Sequence, residues 1–305
     1  MNPALSAQIK PVFPDGLFFF DAGPVWHSIW PPGRIERNRR IYDYELVYFA
    51  NGRGRVATAD GVYECEAGTA VIVPPKLIHC SVAETQLERW CIHFDWRGDC
   101  RGHREAPHIF VYQDDPEPFR EELCASDPEL PGVHFPVCRR NVSREILPLL
   151  QQYFLPHESD WSGQLTRQGV LMQILGLVFR ESGEREVPRG RESGKLFFRA
   201  KHLVDANYLQ PALTVASVAA ACGVTGNHLS RLFHRSIGLP VGDYIQLKRL
   251  YYSRKLLRES TMTIREIAFA SGFSDPNYFS RFFRGKTGKT PAGFRRESET
   301  EIHGE

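Results

Sequence analysis

The sequence lacks any long apolar run. No stretch approaches the roughly 20 apolar residues that a helix needs to cross a bilayer, so no contact with a membrane is expected. The first 20 residues carry one lysine and are interrupted by prolines, which is not the pattern of a secretory signal peptide. The 7 cysteines are odd in number and no two have C-x-x-C spacing. This pattern favours reduced thiols and a cytoplasmic protein over a disulfide framework.

Motifs typical of the large enzyme classes are also missing. The sequence contains no P-loop, no dinucleotide-binding fingerprint and no recognisable Ser/His/Asp set, which would supply phosphate binding, cofactor binding or a nucleophile. We therefore predict no catalytic residues and no cofactor, and the expectation is a protein that is not an enzyme.

Charge is distributed unevenly along the chain. Although the net charge is only +2, residues 195–296 carry 17 Lys and Arg against 5 Asp and Glu. Residues 1–194 carry 21 basic against 27 acidic residues, and residues 297–305 add four glutamates. A basic block of domain size beside an acidic one predicts that the C-terminal part contacts a polyanion such as nucleic acid.

Short runs of β-forming residues dominate residues 15–112. Runs such as ELVYF, RVATA, VYECE and TAVIV are separated by turn signals, and this regular spacing predicts an antiparallel sandwich or barrel. The dipeptides Asn51-Gly52 and Asp60-Gly61 are those that tight hairpins prefer, because their residues tolerate a positive φ. We therefore expect a hairpin turn at each of them.

The pattern changes after the β-rich region. Residues 113–140 are acidic and contain prolines, which predicts a loop, whereas apolar residues recur at helical spacing from 142 to 182. A segment rich in charge, Pro and Gly follows. These shifts divide the chain into a barrel domain with following helices (1–183), a linker (184–194), an all-helical domain (195–296) and an acidic tail (297–305).

The helical domain contains an internal repeat. Residues 227–233 read NHLSRLF, and residues 277–283 read NYFSRFF fifty positions later. In both segments the third, sixth and seventh residues are apolar, so one stripe of each helix is buried and the polar residues face outward. A glycine turn and another short helix, about 214–221 and about 263–270, precede each segment. A helix, a short turn and a second helix with outward polar residues form a helix-turn-helix unit.

A third helical pattern, at about 241–258, lies between the two units. Its apolar residues fall near one face, and lysines and arginines occupy the rest. Roughly 18 residues at about 1.5 Å per residue give a rod of about 27 Å. We expect this rod to hold the two reading helices about one DNA turn apart, roughly 34 Å, on one face of a duplex.

At this point the sequence closely resembles the AraC/XylS family of transcription regulators. The resemblance is carried by GFSDPNYFSRFFRGKTGKTPAGFRR at residues 272–296. The first unit is similar but differs at Gly226 and His228. The resemblance implies that the second helix of each unit contacts double-stranded DNA at operator or promoter half-sites. The candidate contact residues are Thr225, Asn227, His228, Ser230, Arg231, Arg235, Asn277, Tyr278, Ser280, Arg281 and Arg284.

The N-terminal region is similar to the cupin-type sensory domain of many such regulators. Gly68, Pro74 and His79 fall at the spacing of the second cupin motif, with Lys76 in place of its glycine. Catalytic cupins take further histidines and a glutamate from a first motif, but no histidine lies between Gly52 and Gly68. An open catalytic metal site needs three or four N or O ligands. A cupin-type metal-dependent enzyme fused to a DNA-binding module is therefore the alternative, and no metal ligand is predicted.

A small barrel with a mouth suits one small ligand. Trp26, His27 and Trp30 precede the predicted barrel and could close over that mouth. Aromatic faces suit sugar rings, and carboxylate, imidazole and guanidinium groups suit hydroxyls, although the aromatic candidates also fit a plain core. The candidate ligand-binding residues are Glu45, Tyr48, His79, Arg89, Trp90, His93 and Trp96.

The predicted fold class is α+β with two domains. The first is an antiparallel β-barrel of the cupin or jelly-roll type with following helices, and the second is all-α, with two helix-turn-helix subdomains joined by a linker helix. The resemblance implies a regulator, an activator by family expectation, controlled by a small-molecule effector for which a carbohydrate is the first choice. RNA polymerase is a further expected partner. Residues 142–182 form a homodimer interface in this interpretation or only pack against the barrel, and an architectural DNA-binding protein without a ligand is the remaining class.

Overall fold

The computed structural model describes residues 21–106, 108–113, 118–128, 130, 133–155, 161–180 and 191–303. The chain divides into two units, Met1–Gly194 and Lys195–Glu305. A helix begins at Arg191, inside the segment predicted as a linker. The rest of that predicted linker, residues 184–190, lies outside the described residues.

The first unit is built on two antiparallel sheets. Its described residues form the strands β1 (Asp21–Trp30), β2 (Arg39–Ile41), β3 (Tyr44–Asn51), β4 (Arg53–Thr58), β5 (Gly61–Glu66), β6 (Thr69–Val73), β7 (His79–Ala83), β8 (Leu87–Asp95), β9 (Phe110–Tyr112) and β10 (Val137–Arg139). One sheet has the order β1-β8-β3-β6-β10 and the other has the order β5-β4-β7-β2-β9. The predicted antiparallel N-terminal domain is confirmed.

One of the two predicted hairpin turns differs from the prediction. Asn51-Gly52 is not a hairpin turn, because β3 and β4 belong to different sheets and this dipeptide carries the chain between them. Gly52 has a φ of 82°, and a Cβ there would lie 2.0 Å from the Gln86 carbonyl oxygen, so the close approach requires glycine. The β4–β5 hairpin does form, with Thr58 paired to Gly61.

The residues expected to precede the barrel are part of it. Trp26, His27 and Trp30 lie in β1, which pairs with β8. Pro24 hides this strand in the sequence, because proline cannot donate to a ladder and argues against a central strand. The strand is tolerated because β1 is at the edge of its sheet.

Alternation along β3 builds two core layers. Val47 and Phe49 belong to a cluster enclosed between the sheets. Leu46 and Tyr48 point to the opposite face and pack in a second cluster with apolar residues of the helices that follow the barrel. Because side chains alternate in direction along a strand, residues one position apart enter different layers.

Three α-helices lie in the described part of the first unit: α1 (Gly102–Glu105), α2 (Ile146–Phe154) and α3 (Trp161–Phe179). Two of them, α2 and α3, lie within the range 142–182, where the apolar spacing predicts helical structure. The segment predicted as a loop at 113–140 contributes a 3₁₀ turn at Glu121–Leu123 and the edge strand β10, which pairs with β6.

The second unit is all helical. Its described helices are α4 (Arg191–Asn207), α5 (Val215–Cys222), α6 (Gly226–Ile237), α7 (Val241–Glu259), α8 (Ile264–Ala270), α9 (Pro276–Thr287) and α10 (Pro291–His303). α5 with α6 and α8 with α9 form the two helix-turn-helix units, and α7 joins them. Gly223 and Gly272 have φ of 71° and 85° in the two turns. The predicted C-terminal architecture is confirmed.

Candidate functional site

Helix α6 presents the predicted reading residues of the first unit. Thr225 caps it, with its side-chain oxygen accepting from the backbone N–H of His228 at 3.2 Å. Leu229, Leu232 and Phe233 are buried, and this stripe turns the polar side chains away from the core. Thr225, Asn227, Arg231 and Arg235 are exposed, and His228 and Ser230 are half-buried.

Helix α9 repeats this arrangement in the second unit. Asp275 caps it by accepting from the backbone N–H of Asn277 at 2.8 Å, and Pro276 occupies the first helical position. Phe279 and Phe283 are buried. Of the predicted residues, Asn277, Tyr278, Arg281 and Arg284 are exposed and Ser280 is half-buried.

Two contacts within α9 determine which groups its exposed face can offer to a partner. The hydroxyl of Ser280 donates to the carbonyl of Pro276 at 3.0 Å, so its proton is already used within the helix. Phe282 was expected in the buried stripe, but it is half-buried and stacks on the exposed Tyr278 ring with centroids 6.0 Å apart. The reading helix therefore presents an aromatic pair beside its arginines.

Not every cation of the basic domain lies on that face. Arg249 is buried, and its guanidinium donates to the carbonyls of Tyr208 and Gln210 at 2.7 and 2.9 Å. Arg199 donates to the Cys222 carbonyl at 2.5 Å, and Arg295 to the Met262 carbonyl at 2.6 Å. These three arginines tie loops to helices, a role that composition alone did not reveal.

The exposed faces of α6 and α9 suit DNA. An α-helix fits the major groove, where arginine can bond in bidentate fashion to guanine and asparagine to adenine. Arg231 and Arg281 occupy equivalent positions in the repeat, as do Asn227 and Asn277. Each unit therefore offers an equivalent pair of Asn and Arg side chains on the exposed side of a helix.

The interior of the barrel is filled with charged side chains. Arg39 donates through Nη2 to both carboxylate oxygens of Glu45, at 2.7 and 2.8 Å. Arg39 also lies 3.4 Å from Glu36, which in turn accepts from Arg89 at 3.3 Å. At the other end His93 meets Asp43 at 2.7 Å through Nδ1 and Glu45 at 3.7 Å through Nε2. These six side chains thus form one network in which acidic and basic groups alternate.

The protonation states of Glu45 and His93 follow from their contacts in this network. Burial opposes ionisation of Glu45, but the charge of Arg39 and the two neighbouring histidines outweigh burial and hold its pKa well below the ordinary value. Burial also opposes the charged form of His93, yet Asp43 prevails and raises the pKa of His93 to about 9. At neutral pH the interior therefore holds Glu45 as a carboxylate and His93 as a protonated imidazole.

Glu45, His79 and His93 come together as in a metal site, but their surroundings do not fit a metal. His79 Nε2 lies 3.2 Å from a Glu45 oxygen. Both oxygens of that carboxylate are engaged by Arg39, whose positive charge opposes a cation. Across the described residues, no cluster of His, Cys, Asp and Glu is arranged to hold a metal ion. The alternative of a cupin-type metalloenzyme gains no support from this geometry.

The predicted ligand residues fall into two separate layers of the first unit. Glu45, His79, Arg89 and His93 belong to the charged interior. The three aromatic candidates instead pack in the layer beneath α2 and α3, and these are Tyr48, Trp90 and Trp96. The structure therefore brings together the polar candidates and separates them from the aromatic ones.

An aromatic side chain does stand beside the charged interior. Trp26 of β1 is 40% exposed, and its ring edge meets the His93 ring with centroids 5.2 Å apart. Phe110 lies 6.5 Å from the Trp26 ring. Next to them, His93 Nε2 is buried without a hydrogen-bond partner among the described residues, and so is Nε of Arg39, whose guanidinium lies 5.3 Å from the Phe110 ring centroid. Polar donors and an exposed indole thus share one end of the barrel.

The sequence-based list missed Glu36, Arg39, Asp43 and Trp26. A signal existed for part of this network, since Glu45 shares its strand face with Val47 and Phe49. A carboxylate on a buried face requires a buried partner, and the nearest cations in the sequence, Arg39 and Arg40, precede the same strand. No local pattern in the sequence shows whether the side chain of Arg39 or that of Arg40 points into the barrel.

Two family models match the chain. Residues 23–97 match the AraC-like ligand binding domain, which covers the strands around the charged interior. Residues 218–297 match the helix-turn-helix domain, which covers both reading helices. Together the two matches include the charged interior and all but the outer ends of the DNA-reading domain.

Curated relatives match most of the chain or part of it. The chain is 29% identical over 289 residues to the Arabinose operon regulatory protein of Escherichia coli, covering 88% of this chain and 86% of that protein. It is 25% identical to the uncharacterised HTH-type transcriptional regulator YfiF of Bacillus subtilis, covering 83% of this chain and 76% of that protein. A third match, at 32% identity, is the uncharacterised regulator YijO of Escherichia coli, and it spans 38% of this chain and 41% of that protein.

The relatives are transcription regulators, which argues against an enzyme. In the part of the chain that the structure describes, every helix is too short or too polar to span a bilayer. A ligand-binding barrel, two helix-turn-helix units and regulators as relatives over most of the chain lead to one family. The chain belongs to the AraC family of DNA-binding transcription regulators.

Proposed function

We propose that α6 and α9 each enter the major groove and read one part of an operator or promoter half-site. The exposed Arg231 and Arg281 supply base contacts, and the exposed Asn227 and Asn277 lie one turn earlier on each helix. The other contact residues of this proposal are Thr225, His228, Ser230, Arg235, Tyr278, Ser280 and Arg284. α7 has 19 residues, about 28 Å at roughly 1.5 Å per residue, and sets the distance between the two reading helices.

The effector that we propose is a small neutral polyol, a sugar or a related metabolite, held at the Trp26 end of the barrel. One observation carries this proposal: buried N–H groups of Arg39 and His93 lack partners beside an exposed indole. Hydroxyl oxygens would accept from such donors, and an indole face suits a sugar ring. Because the charged groups of the interior already pair with one another, a neutral ligand is favoured over a charged one.

The relatives give this choice further support. The Arabinose operon regulatory protein is, by its name, the regulator of a sugar operon. Family expectation favours activation over repression and contact with RNA polymerase. The protein acts in the cytoplasm in this proposal, because that is where a bacterial regulator meets its DNA.

Ligand titration of the full-length protein tests the effector class. Neutral pentoses and hexoses should raise the thermal midpoint by mass action, whereas sugar acids and amino sugars should not. Trp26→Ala should abolish the rise. Ile29→Ala is the matched control, because Ile29 is 58% exposed on the same strand, and it should keep the rise. Stabilisation by charged sugars alone, or equal behaviour of the two variants, would contradict the proposal.

We also propose that the chain forms a homodimer through α3. Trp161, Leu165 and Met172 are 73%, 57% and 47% exposed, and their spacing places them on one side of the helix. Gly169 lies between them with no atom within 4 Å of its Cβ position. Apolar side chains exposed together along a helix are typical of an interface.

Sedimentation of the full-length protein tests the dimer. Leu165→Glu with Met172→Glu should shift the chain to a monomer, because both charges would be buried in the interface. Gln173→Glu adds a charge at an exposed position about 100° around the same helix and should leave the dimer intact. If the wild-type chain stays monomeric at high concentration, the dimer proposal is contradicted, and α3 only packs against the barrel.

A further inference from the structure

A second cleft lies outside the barrel, between its first sheet and α2. It has a volume of about 240 Å³ and is lined by Ala50, Asn51, Glu88, Trp90, Arg144, Leu147 and Gln151. The charged interior is on the opposite face of the same sheet, because Arg89 points inward and its neighbours Glu88 and Trp90 point outward. The two places are therefore separate on the protein.

The floor of the cleft is Trp90. This residue is 6% exposed, and its indole Nε1 is buried without a hydrogen-bond partner among the described residues. His27 stacks on the ring at a centroid distance of 4.2 Å, and Phe154 meets it edge-on at 5.9 Å. Since its neighbours cover the ring, Trp90 contributes its N–H, a donor that costs stability unless an acceptor meets it.

The strand end beside Trp90 is irregular. The register between β3 and β8 shifts between Phe49 and Asn51, and Asn51 pairs with Glu88. Such bulges re-aim side chains and occur next to functional sites. The side-chain Oδ1 of Asn51 accepts from the backbone N–H of Gly52 at 2.8 Å, so this side chain is fixed at the rim with its amide nitrogen left to donate.

The opposite wall is α2 and the turn before it. Leu147 and Gln151 lie one turn apart on α2, and Arg144 lies in the turn that precedes the helix. Burial raises the pKa of Tyr48, and the charge of Arg144 opposes this rise. Tyr48 pairs with Trp90 across the sheet, so the guanidinium of Arg144 lies near the Trp90 floor.

The donors and acceptors of the cleft define its ligand. The Trp90 N–H, the Arg144 guanidinium and the Asn51 amide all donate, which calls for a carboxylate, and guanidinium with carboxylate is among the strongest pairs. Glu88 is the one acidic group of the lining, and His27 Nε2 meets one of its oxygens at 3.0 Å. Its other oxygen suits a hydroxyl or ammonium group. A volume of about 240 Å³ is below the ~300–1,000 Å³ of drug-sized sites.

We infer that this cleft is a second effector site, which takes a small carboxylate carrying a hydroxyl or ammonium group next to the carboxylate. The ligand joins the barrel sheet to α2, and it binds independently of the neutral polyol proposed for the interior.

Calorimetry on the full-length protein with D-glycerate and L-serine as probes tests this inference. At least one of the two should bind, while glycerol, which lacks the carboxylate, and acetate, which lacks the second group, should bind at least tenfold more weakly. Trp90→Phe keeps the ring and removes the donor, and it should weaken binding by roughly tenfold. Arg144→Gln should weaken it more. Arg180→Gln, at an exposed position at the end of α3, is the control and should bind as the wild type does.

A second readout separates binding from folding. The chain has 5 tryptophans, and the indole N–H signal that disappears in Trp90→Phe identifies Trp90 in a nitrogen–proton spectrum. That signal should move on addition of the carboxylate probe and stay unmoved on addition of a neutral sugar. Trp26→Ala should leave the shift unchanged. Absence of binding by both probes, or equal binding by Trp90→Phe and the wild type, would overturn the inference.

Discussion

Arg39 and Glu45 meet inside the barrel, where a single guanidinium nitrogen donates to both carboxylate oxygens at 2.7 and 2.8 Å. Their side chains are 5% and 0% exposed. Each residue therefore compensates the buried charge of the other, and the pair connects the two halves of the interior network: Glu36 and Arg89 on one side, His93 and Asp43 on the other.

Removal of one partner should be costly. Glu45→Gln leaves the Arg39 charge buried without its main counterion and should lower the free energy of unfolding by about 3–5 kcal/mol. Urea denaturation measures this loss. Glu105→Gln is the control, because it breaks an exposed pair with Arg101, and it should leave the midpoint unchanged. A small effect of Glu45→Gln would mean that the interior is wetter than its burial indicates.

Stability should fall as the solution becomes alkaline. The pKa of His93 is raised from 6.5 to about 9 in the folded protein, so the native state binds this proton more tightly than the unfolded chain does. The contribution of this proton to the free energy of unfolding is complete below about pH 6.5. It is lost as the pH rises to about 9, which lowers the free energy of unfolding by about 3 kcal/mol. Urea midpoints measured across this window check the slope. His93→Gln should flatten it, and an unchanged slope in that variant would assign the effect to another group.

Replacing Lys76 with glycine should stabilise the folded protein. It has a φ of 68° and stands where the cupin motif has glycine, and a left-handed backbone costs a non-glycine residue about 1–3 kcal/mol. Lys76→Gly should therefore raise the free energy of unfolding by about 1 kcal/mol after the entropy cost of glycine is included. Asn141, with a φ of 56°, is the comparison. Because asparagine tolerates the left-handed region, Asn141→Gly should raise the free energy of unfolding by less than Lys76→Gly does. An equal increase in the two variants would argue against strain at Lys76.

Arg249 should act on the fold rather than on DNA. Its guanidinium reaches three carbonyls of the loop before the first helix-turn-helix unit, those of Tyr208, Gln210 and Leu213. Lysine cannot span them with one fixed fork. Arg249→Lys should lower the thermal midpoint, whereas Arg258→Lys, at an exposed position on the same helix, should not. A loss of DNA affinity without any loss of stability would contradict this structural role.

The sequence predicted those parts of the molecule that are encoded by neighbouring residues. The spacing of Leu229, Leu232 and Phe233 sufficed for the buried stripe of α6, and Asp275-Pro276 for the start of α9. The barrel interior was harder, because Arg39 reaches its partners through strand pairing that joins β2 to β7. Local residues do not encode that register.

Strand alternation was the signal left unused. Glu45 and Tyr48 are three positions apart in one strand and so face opposite sides of the sheet. The same reasoning separates Trp90 from Arg89. The alternation therefore divides the candidate ligand residues into the interior set and the outer set that the structure shows, and it would have placed Trp90 at the outer cleft.

The central claim is that α6 and α9 read DNA sequence, and the affinity of reading-helix variants for a selected operator tests it most directly. The wild type should enrich one family of sequences from a random pool. Arg231→Ala and Arg281→Ala should each weaken binding to that operator by about 1–3 kcal/mol, while Arg258→Ala, which removes an exposed arginine from α7, should change it less than twofold. Failure to enrich any sequence, or equal losses for all three variants, would contradict the account.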